Sequence, residues 1–281
     1  MTVDAFLTRY LDETKRLLKS HYAVTSVLAT VRAELGHKRL IDLNGPDVHS
    51  YVQARLNKGI KPATINHELS VISAAVNHAV RKWGVNIANP VRYQWLKTGP
   101  LRLRYLEKHE AKSLLEHAHK LRPDLANFIR LAINTGCRKT ELLLLKWSDV
   151  NIERRYMLLR PENTKGNKRR ILPLNAGAIQ ALTQQRQEIK TEWVFARQNG
   201  ERVKTFNWLF RKAAQQAGIE DFRIHDLRHT FASWLVSEGV ELVKVRDLLG
   251  HSSIKMTERY AHLMPDRLLG AVSVLDLFET I

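Results

Sequence analysis

The chain of 281 residues has one cysteine, Cys137. A single thiol closes no intramolecular disulfide and builds no cysteine-based metal cluster, which fits a reducing cytoplasm. No apolar run approaches the ~20 residues needed to span a bilayer. The opening ten residues lack a basic segment followed by an apolar core, so no signal peptide is expected. No internal repeat or low-complexity tract appears. Acids are scarce: 28 Asp and Glu face 45 Lys and Arg, a formal charge of +17. A soluble chain this basic is expected to meet a polyanion. Hydrophobic residues make up 44%, enough for a substantial core in one large or two modest domains.

The first 90 or so residues read as helical. Helices are expected over 4–18 and 23–35. Asn44-Gly45-Pro46 is a start signal for a third, running to about Leu56 and ended by Gly59. Thr64 is the expected cap of a fourth. Its apolar positions Ile65, Leu69, Ile72, Val76, Ala79 and Val80 form one stripe at three-four spacing, and Gly84 closes it. Asn89-Pro90 disfavours helix and opens a basic linker. The expected division is a helical domain over 1–92, a linker over 93–104 and a second domain over 105–281.

In the second domain, helices are expected over 107–119, 123–134 and 138–147. Two β-rich runs, 156–160 and 168–174, flank a Gly-containing turn and read as a hairpin. Residues 193–195 are expected as an edge strand. Helices then follow over 206–217, 225–238, 241–249, 254–261 and 267–278.

Chemistry concentrates in this half. Arg138 follows Gly136 at an expected helix start, where backbone N–H groups already favour an anion. Glu141 lies one turn on and can hold its guanidinium. His225 and Arg228 share a helix face at i and i+3, and His229 is an equal candidate to His225 by position. His251 follows Gly250, so it is expected in a turn. Tyr260 lies on a short helix nine residues later. At the hairpin tip, Lys165 could reach a DNA groove and protonate a leaving oxygen, with Lys168 nearby as a rival. Lys168, Arg169 and Arg170 suit backbone-phosphate contacts, which position DNA without reading its sequence. An arginine fork grips a phosphodiester by two bonds, and a tyrosine hydroxyl can attack phosphorus.

Four stretches carry a resemblance: Thr-Gly-Cys-Arg-Lys-Thr-Glu-Leu, Thr-Lys-Gly-Asn-Lys-Arg-Arg-Ile-Leu-Pro-Leu, His-Asp-Leu-Arg-His-Thr-Phe-Ala-Ser and Leu-Leu-Gly-His-Ser-Ser-Ile-Lys-Met-Thr-Glu-Arg-Tyr. In this order they resemble the tyrosine recombinase (phage integrase) family. Lys61-Pro-Ala-Thr-Ile-Asn66, Trp83-Gly and Asn89-Pro90 are similar to its core-binding domain. The resemblance implies a mainly α fold with a small β-sheet: a SAM-like helical core-binding domain and a mixed α/β catalytic domain. It implies Tyr260 as a nucleophile forming a 3′-phosphotyrosyl link, with Arg138 and Arg228 clamping the phosphate. It selects Lys165 as general acid, His225 as acceptor of the tyrosine proton, His251 as a phosphate ligand and Glu141 as support. No metal, ATP or other cofactor is expected.

The implied function is site-specific DNA recombination, for integration, excision or dimer resolution, in the bacterial cytoplasm. The implied partner is double-stranded DNA, gripped between two domains. Free chains are expected as monomers, and four assemble on two DNA sites. The apolar stripe Leu268, Leu269, Val272, Leu275 and Phe278 is the expected helix passed to a neighbouring protomer. The core-binding resemblance starts near Met1, so the expected layout is Xer-like, with the arm-binding domain of larger integrases either absent or removed. The rivals are a type IB topoisomerase and a DNA-binding protein without catalysis. Small size and the bacterial style of the motifs weigh against the first, and the intact catalytic set weighs against the second.

Overall fold

The structure is a computed structural model that describes residues 1–16, 21–99, 102–164, 166–186 and 191–265. Lys165 and the expected tail helix over 267–278 lie outside the described residues. The chain divides into two units, Met1–Pro100 and Leu101–Ile281. Its described residues are mainly helical, with one small three-stranded sheet in the second unit. Among them, no helix is long and apolar enough to cross a membrane.

The first unit packs four helices: α1 (Val3–Thr14), α2 (His21–Leu35), α3 (Gly45–Asn57) and α4 (Pro62–Trp83). Asn44 caps α3 by accepting from the Asp47 backbone N–H at 3.1 Å, and the Asp47 carboxylate accepts in return from the Asn44 N–H. The α4 stripe buries Ile65, Leu69, Ile72, Val76 and Ala79 against Phe6, Leu28 and Val48. Val80 departs from the expectation and is exposed, because one step past Ala79 rotates it ~100° off the stripe. The cap of α4 is Lys61, not Thr64. Pro62 sets the start, since its fixed φ and missing N–H suit the first helical turn.

In the second unit α5 (Lys108–Leu121) and α6 (Pro123–Thr135) precede the short α7 (Lys139–Leu143). Helix α6 is buried nearly all round by Leu125, Phe128, Ile129, Leu131 and Ala132, and so forms the centre of this core. The sheet runs β1 (Val150–Asn151), β2 (Tyr156–Leu159) and β3 (Arg170–Pro173), all antiparallel. Met157 faces Leu172 and Leu159 faces Arg170. Helices α8 (Ala176–Arg186), α9 (Asn207–Gln216), α10 (Asp226–Ser237) and α11 (Leu242–Leu249) follow.

Three further expectations change. The helix expected over 138–147 stops at Leu143, because extended backbone at Lys146 pairs in a single bridge with Trp193. Residues 193–195 therefore lie along that segment and not on the sheet edge. Residues 254–261 form two 3-10 turns, Ile254–Met256 and Glu258–Leu263, in place of one helix. The buried Thr257 separates them, its hydroxyl engaged by His251.

Two glycines shape the ground under the site. Gly136 closes α6 at φ 62°, and a Cβ there would meet the Phe231 ring at 2.3 Å. Gly250 closes α11 at φ 64°, and a Cβ there would collide with the Arg170 guanidinium. Only glycine allows both the left-handed turn and the close approach.

Candidate active site

The site grows from one buried carboxylate. Arg138 caps α7, and its backbone N–H donates to Glu141 Oε2 at 2.8 Å. Its Nη1 donates to Glu141 Oε1, also at 2.8 Å. Arg170 Nη2 donates to Glu141 Oε2 at 3.0 Å. The Glu141 side chain is fully buried, so two guanidinium groups are tied to a single charge away from water.

Arg170 departs from its expected place among backbone-phosphate contacts. Strand alternation puts it on the inward face with Leu172, while Ile171 between them is exposed. Its Nη1 donates to the Leu249 carbonyl at 2.7 Å, and its side chain is 12% exposed. Lys168 and Arg169 do lie on the exposed surface.

Arg228, on α10, meets the same carbonyl. Its Nη2 donates to Leu249 O and its Nη1 to Gly136 O, both at 2.7 Å. The left-handed turns at Gly136 and Gly250 thus place two helix-terminal carbonyls that fix the plane of one guanidinium. Burial, then the neighbouring Arg138 charge, push the Arg228 pKa down to about 10. The group stays cationic at neutral pH. Three arginines against one carboxylate leave surplus positive charge, which suits an anion.

His251 follows Gly250, and its Nδ1 lies 2.9 Å from Thr257 Oγ1. Burial, then Arg228 and Arg138, lower its pKa to about 4, so the ring is neutral at pH 7. His225 precedes α10 and is also pushed below the usual histidine range by burial, with Arg228 adding to the effect. A cleft of about 400 Å³ beside the hairpin brings Arg138, Lys168, Arg169, Arg170, Arg246 and His251 together.

Tyr260 is almost wholly buried, in a small cluster with Phe231, Val245 and Leu249. Burial raises its phenol pKa to about 12, opposed by the Arg228 and Arg259 charges. Its hydroxyl lies 2.6 Å from Nδ1 of His229. The imidazole selected from sequence, His225, instead sets its ring edge-on against His229, with centroids 5.5 Å apart. Arg259 also escaped the sequence reading. Its buried Nε has no hydrogen-bond partner among the described residues, and its charge lowers the pKa values of His225, His229, His251 and Tyr260. Its place directly before the tyrosine was the available signal.

Glu141→Ala is expected to lower the unfolding free energy by roughly 3 kcal/mol, because two partly buried arginines lose their common counter-charge. Urea denaturation measures this. A loss under 1 kcal/mol would show that water compensates the arginines.

Comparison with known proteins matches residues 104–267 to the phage integrase family and residues 3–94 to the phage integrase N-terminal domain. The integrase of Salmonella phage P22 is 34% identical over 224 residues, covering 74% of this chain and 57% of that relative. The chain therefore spans less than two thirds of that relative's length. A lambda integrase (75–356) dimer bound to a core site has the same fold, with a TM-score of 0.79 at 22% identity over 93% of this chain and 95% of that one. A lambda integrase tetramer bound to a Holliday junction aligns at TM-score 0.78 and 21% identity, covering 95% of this chain and 78% of that one.

Proposed function

The chain belongs to the phage integrase family, and on that premise we propose that it is a tyrosine-type site-specific DNA recombinase. The observation that carries this reading is the packing of a tyrosine hydroxyl, held by an imidazole, into the shell that also holds Arg228 and Leu249. This supports the reading of Tyr260 as a nucleophile working beside a cationic anion site.

Arg138 and Arg228 grip the non-bridging oxygens of the scissile phosphate, and a neutral His251 donates a further hydrogen bond. Glu141 holds the Arg138 guanidinium as a positioning residue, the Gly136 and Leu249 carbonyls hold that of Arg228, and Arg170 braces Glu141 and the Leu249 carbonyl. His225 is kept neutral by burial, with the Arg228 charge adding to the effect, and its ring packs edge-on against His229. Tyr260 Oη bonds to phosphorus while the bond to the 5′ oxygen breaks, and Lys165 supplies the proton to that oxygen. The product is a 3′-phosphotyrosyl link and a 5′-hydroxyl. Charge on the five-coordinate phosphorus is stabilised by the fixed arginine donors. The covalent link keeps the energy of the broken bond, so rejoining needs no ATP.

The partner is double-stranded DNA. Residues 1–92 serve as the core-binding domain and 93–104 as the linker. Residues 105–281 form the catalytic domain, with Lys168 and Arg169 on backbone phosphates. The active assembly is a homotetramer on two DNA sites, formed from monomers in the bacterial cytoplasm or nucleoid.

The test is a nicked duplex drawn from the flanks of the genetic element that encodes the chain. A protein–DNA complex that survives denaturing detergent is the expected outcome. Tight binding without such a complex would leave a DNA-binding protein and overturn the proposal.

A further inference from the structure

Within the reading of Tyr260 as nucleophile, we infer that His229 is the catalytic residue that takes its proton. The geometry is direct: His229 Nδ1 lies 2.6 Å from Tyr260 Oη, with both side chains buried. His229 sits four residues after His225, one turn along the same face of α10. Residues 258–263 lay the tyrosine over that turn, and the rings stand 5.8 Å apart and tilted by 51°.

The protonation states fit this role. Burial, then the His225 and Arg259 charges, push the His229 pKa down to about 4, with Asp226 opposing. Arg228 adds to the lowering, and Tyr260 is the remaining titratable group against the ring. The imidazole is therefore neutral at pH 7. Tyr260, with its pKa near 12, remains a phenol. The role requires one tautomer, in which Oη–H donates, Nδ1 accepts and the ring proton is on Nε2.

The step balances without another reactant. In the ground state the proton stays on oxygen, since the phenol is far the weaker acid. As Oη forms its bond to phosphorus, its basicity collapses and the proton passes to Nδ1, giving an imidazolium. The electron pair of the P–O5′ bond leaves with the 5′ oxygen. On rejoining, the imidazolium returns the proton to Oη. The negative charge gathering on phosphorus offsets the arginine field that disfavours this cation. The lowered pKa keeps the acceptor free of a proton before the reaction but makes it a weaker base, so the driving force for the transfer is the loss of basicity at Oη as its bond to phosphorus forms.

The test is His229→Asn, whose side-chain oxygen can accept the phenol's hydrogen bond but cannot carry its proton away. Single-turnover cleavage is measured on a duplex with sulfur at the 5′ bridging position, where the leaving group needs no general acid. Wild-type rates are expected to vary less than about threefold between pH 7 and 9. The variant is expected to be slower by roughly 10² at pH 7 and to gain about tenfold per pH unit, as hydroxide takes over the proton. A uniformly slower but flat profile would mark His229 as structural, and faster cleavage would mark it as a clamp that restrains Tyr260. Either overturns the inference. If His229→Asn fails to fold, nitrogen NMR of the wild-type imidazole decides: a proton on Nδ1 at pH 7 overturns it, and a proton on Nε2 supports it. Failure here leaves wild-type covalent complex formation intact, whereas failure of the recombinase reading removes that complex altogether.

Discussion

Tyr260→Phe is expected to bind DNA as the wild type does and to lose all detectable strand cleavage. The substitution removes one oxygen from a side chain that is otherwise part of an apolar cluster with Phe231, Val245 and Leu249. Phenylalanine fills the same space, so packing is kept. The lost hydrogen bond to His229 leaves a neutral buried imidazole without its partner, which costs about 1–3 kcal/mol. That is a tolerable loss for a domain with an extensive second core around α6. The chemistry has no substitute, because no other hydroxyl replaces Oη as the nucleophile. Binding is read by gel shift and cleavage by the detergent-resistant complex. Residual cleavage above about one part in a thousand would point to a different nucleophile.

Arg228→Lys is expected to slow cleavage by roughly 10²–10³, equivalent to ~3–4 kcal/mol of transition-state stabilisation. The argument rests on geometry more than charge. The planar guanidinium spans the Gly136 and Leu249 carbonyls at once and still presents N–H groups in a fixed plane. An ammonium is a point charge on a flexible stem and cannot hold both carbonyls while meeting a phosphate. The charge is kept, so DNA affinity is expected within about threefold of wild type. Single-turnover kinetics and binding isotherms separate the two effects. Wild-type cleavage by the lysine variant would refute the clamp.

The parts of this molecule governed by local rules could be read in advance. The α4 stripe, the Asn44 cap and the stops at Gly84, Gly136 and Gly250 follow from periodicity and turn chemistry within a few residues. The hairpin did too, from two β-rich runs around a turn. Elements defined by what they pack against were missed or misread. Helix α8 buries mostly small residues and a glutamine, Ala178, Ala181, Leu182 and Gln185, and takes its place from its seat on α6. Strand β1 is two residues long and is defined by its pairing with β2.

The site divides in the same way. Arg138 and Glu141 are three residues apart, and their contact follows from helical spacing. Arg170 could have been assigned inward from its alternation with Leu172, but its position in a run of basic residues suggested a solvated face. The contact of Tyr260 with His229 in place of His225 was beyond spacing altogether. Both lie on one helix face, and what separates them is where Tyr260 lands, 31 residues further along the chain.

The central claim is that Tyr260 attacks DNA and holds it covalently. The most direct measurement is to trap the wild-type chain on a nicked duplex, digest both partners and identify the cross-linked peptide by mass spectrometry. The account predicts one peptide, with Tyr260 esterified to a 3′-phosphate, and a free 5′-hydroxyl on the departing strand. Attachment at another residue, linkage to a 5′-phosphate, or recovery of uncut DNA from a complex known to bind would contradict it.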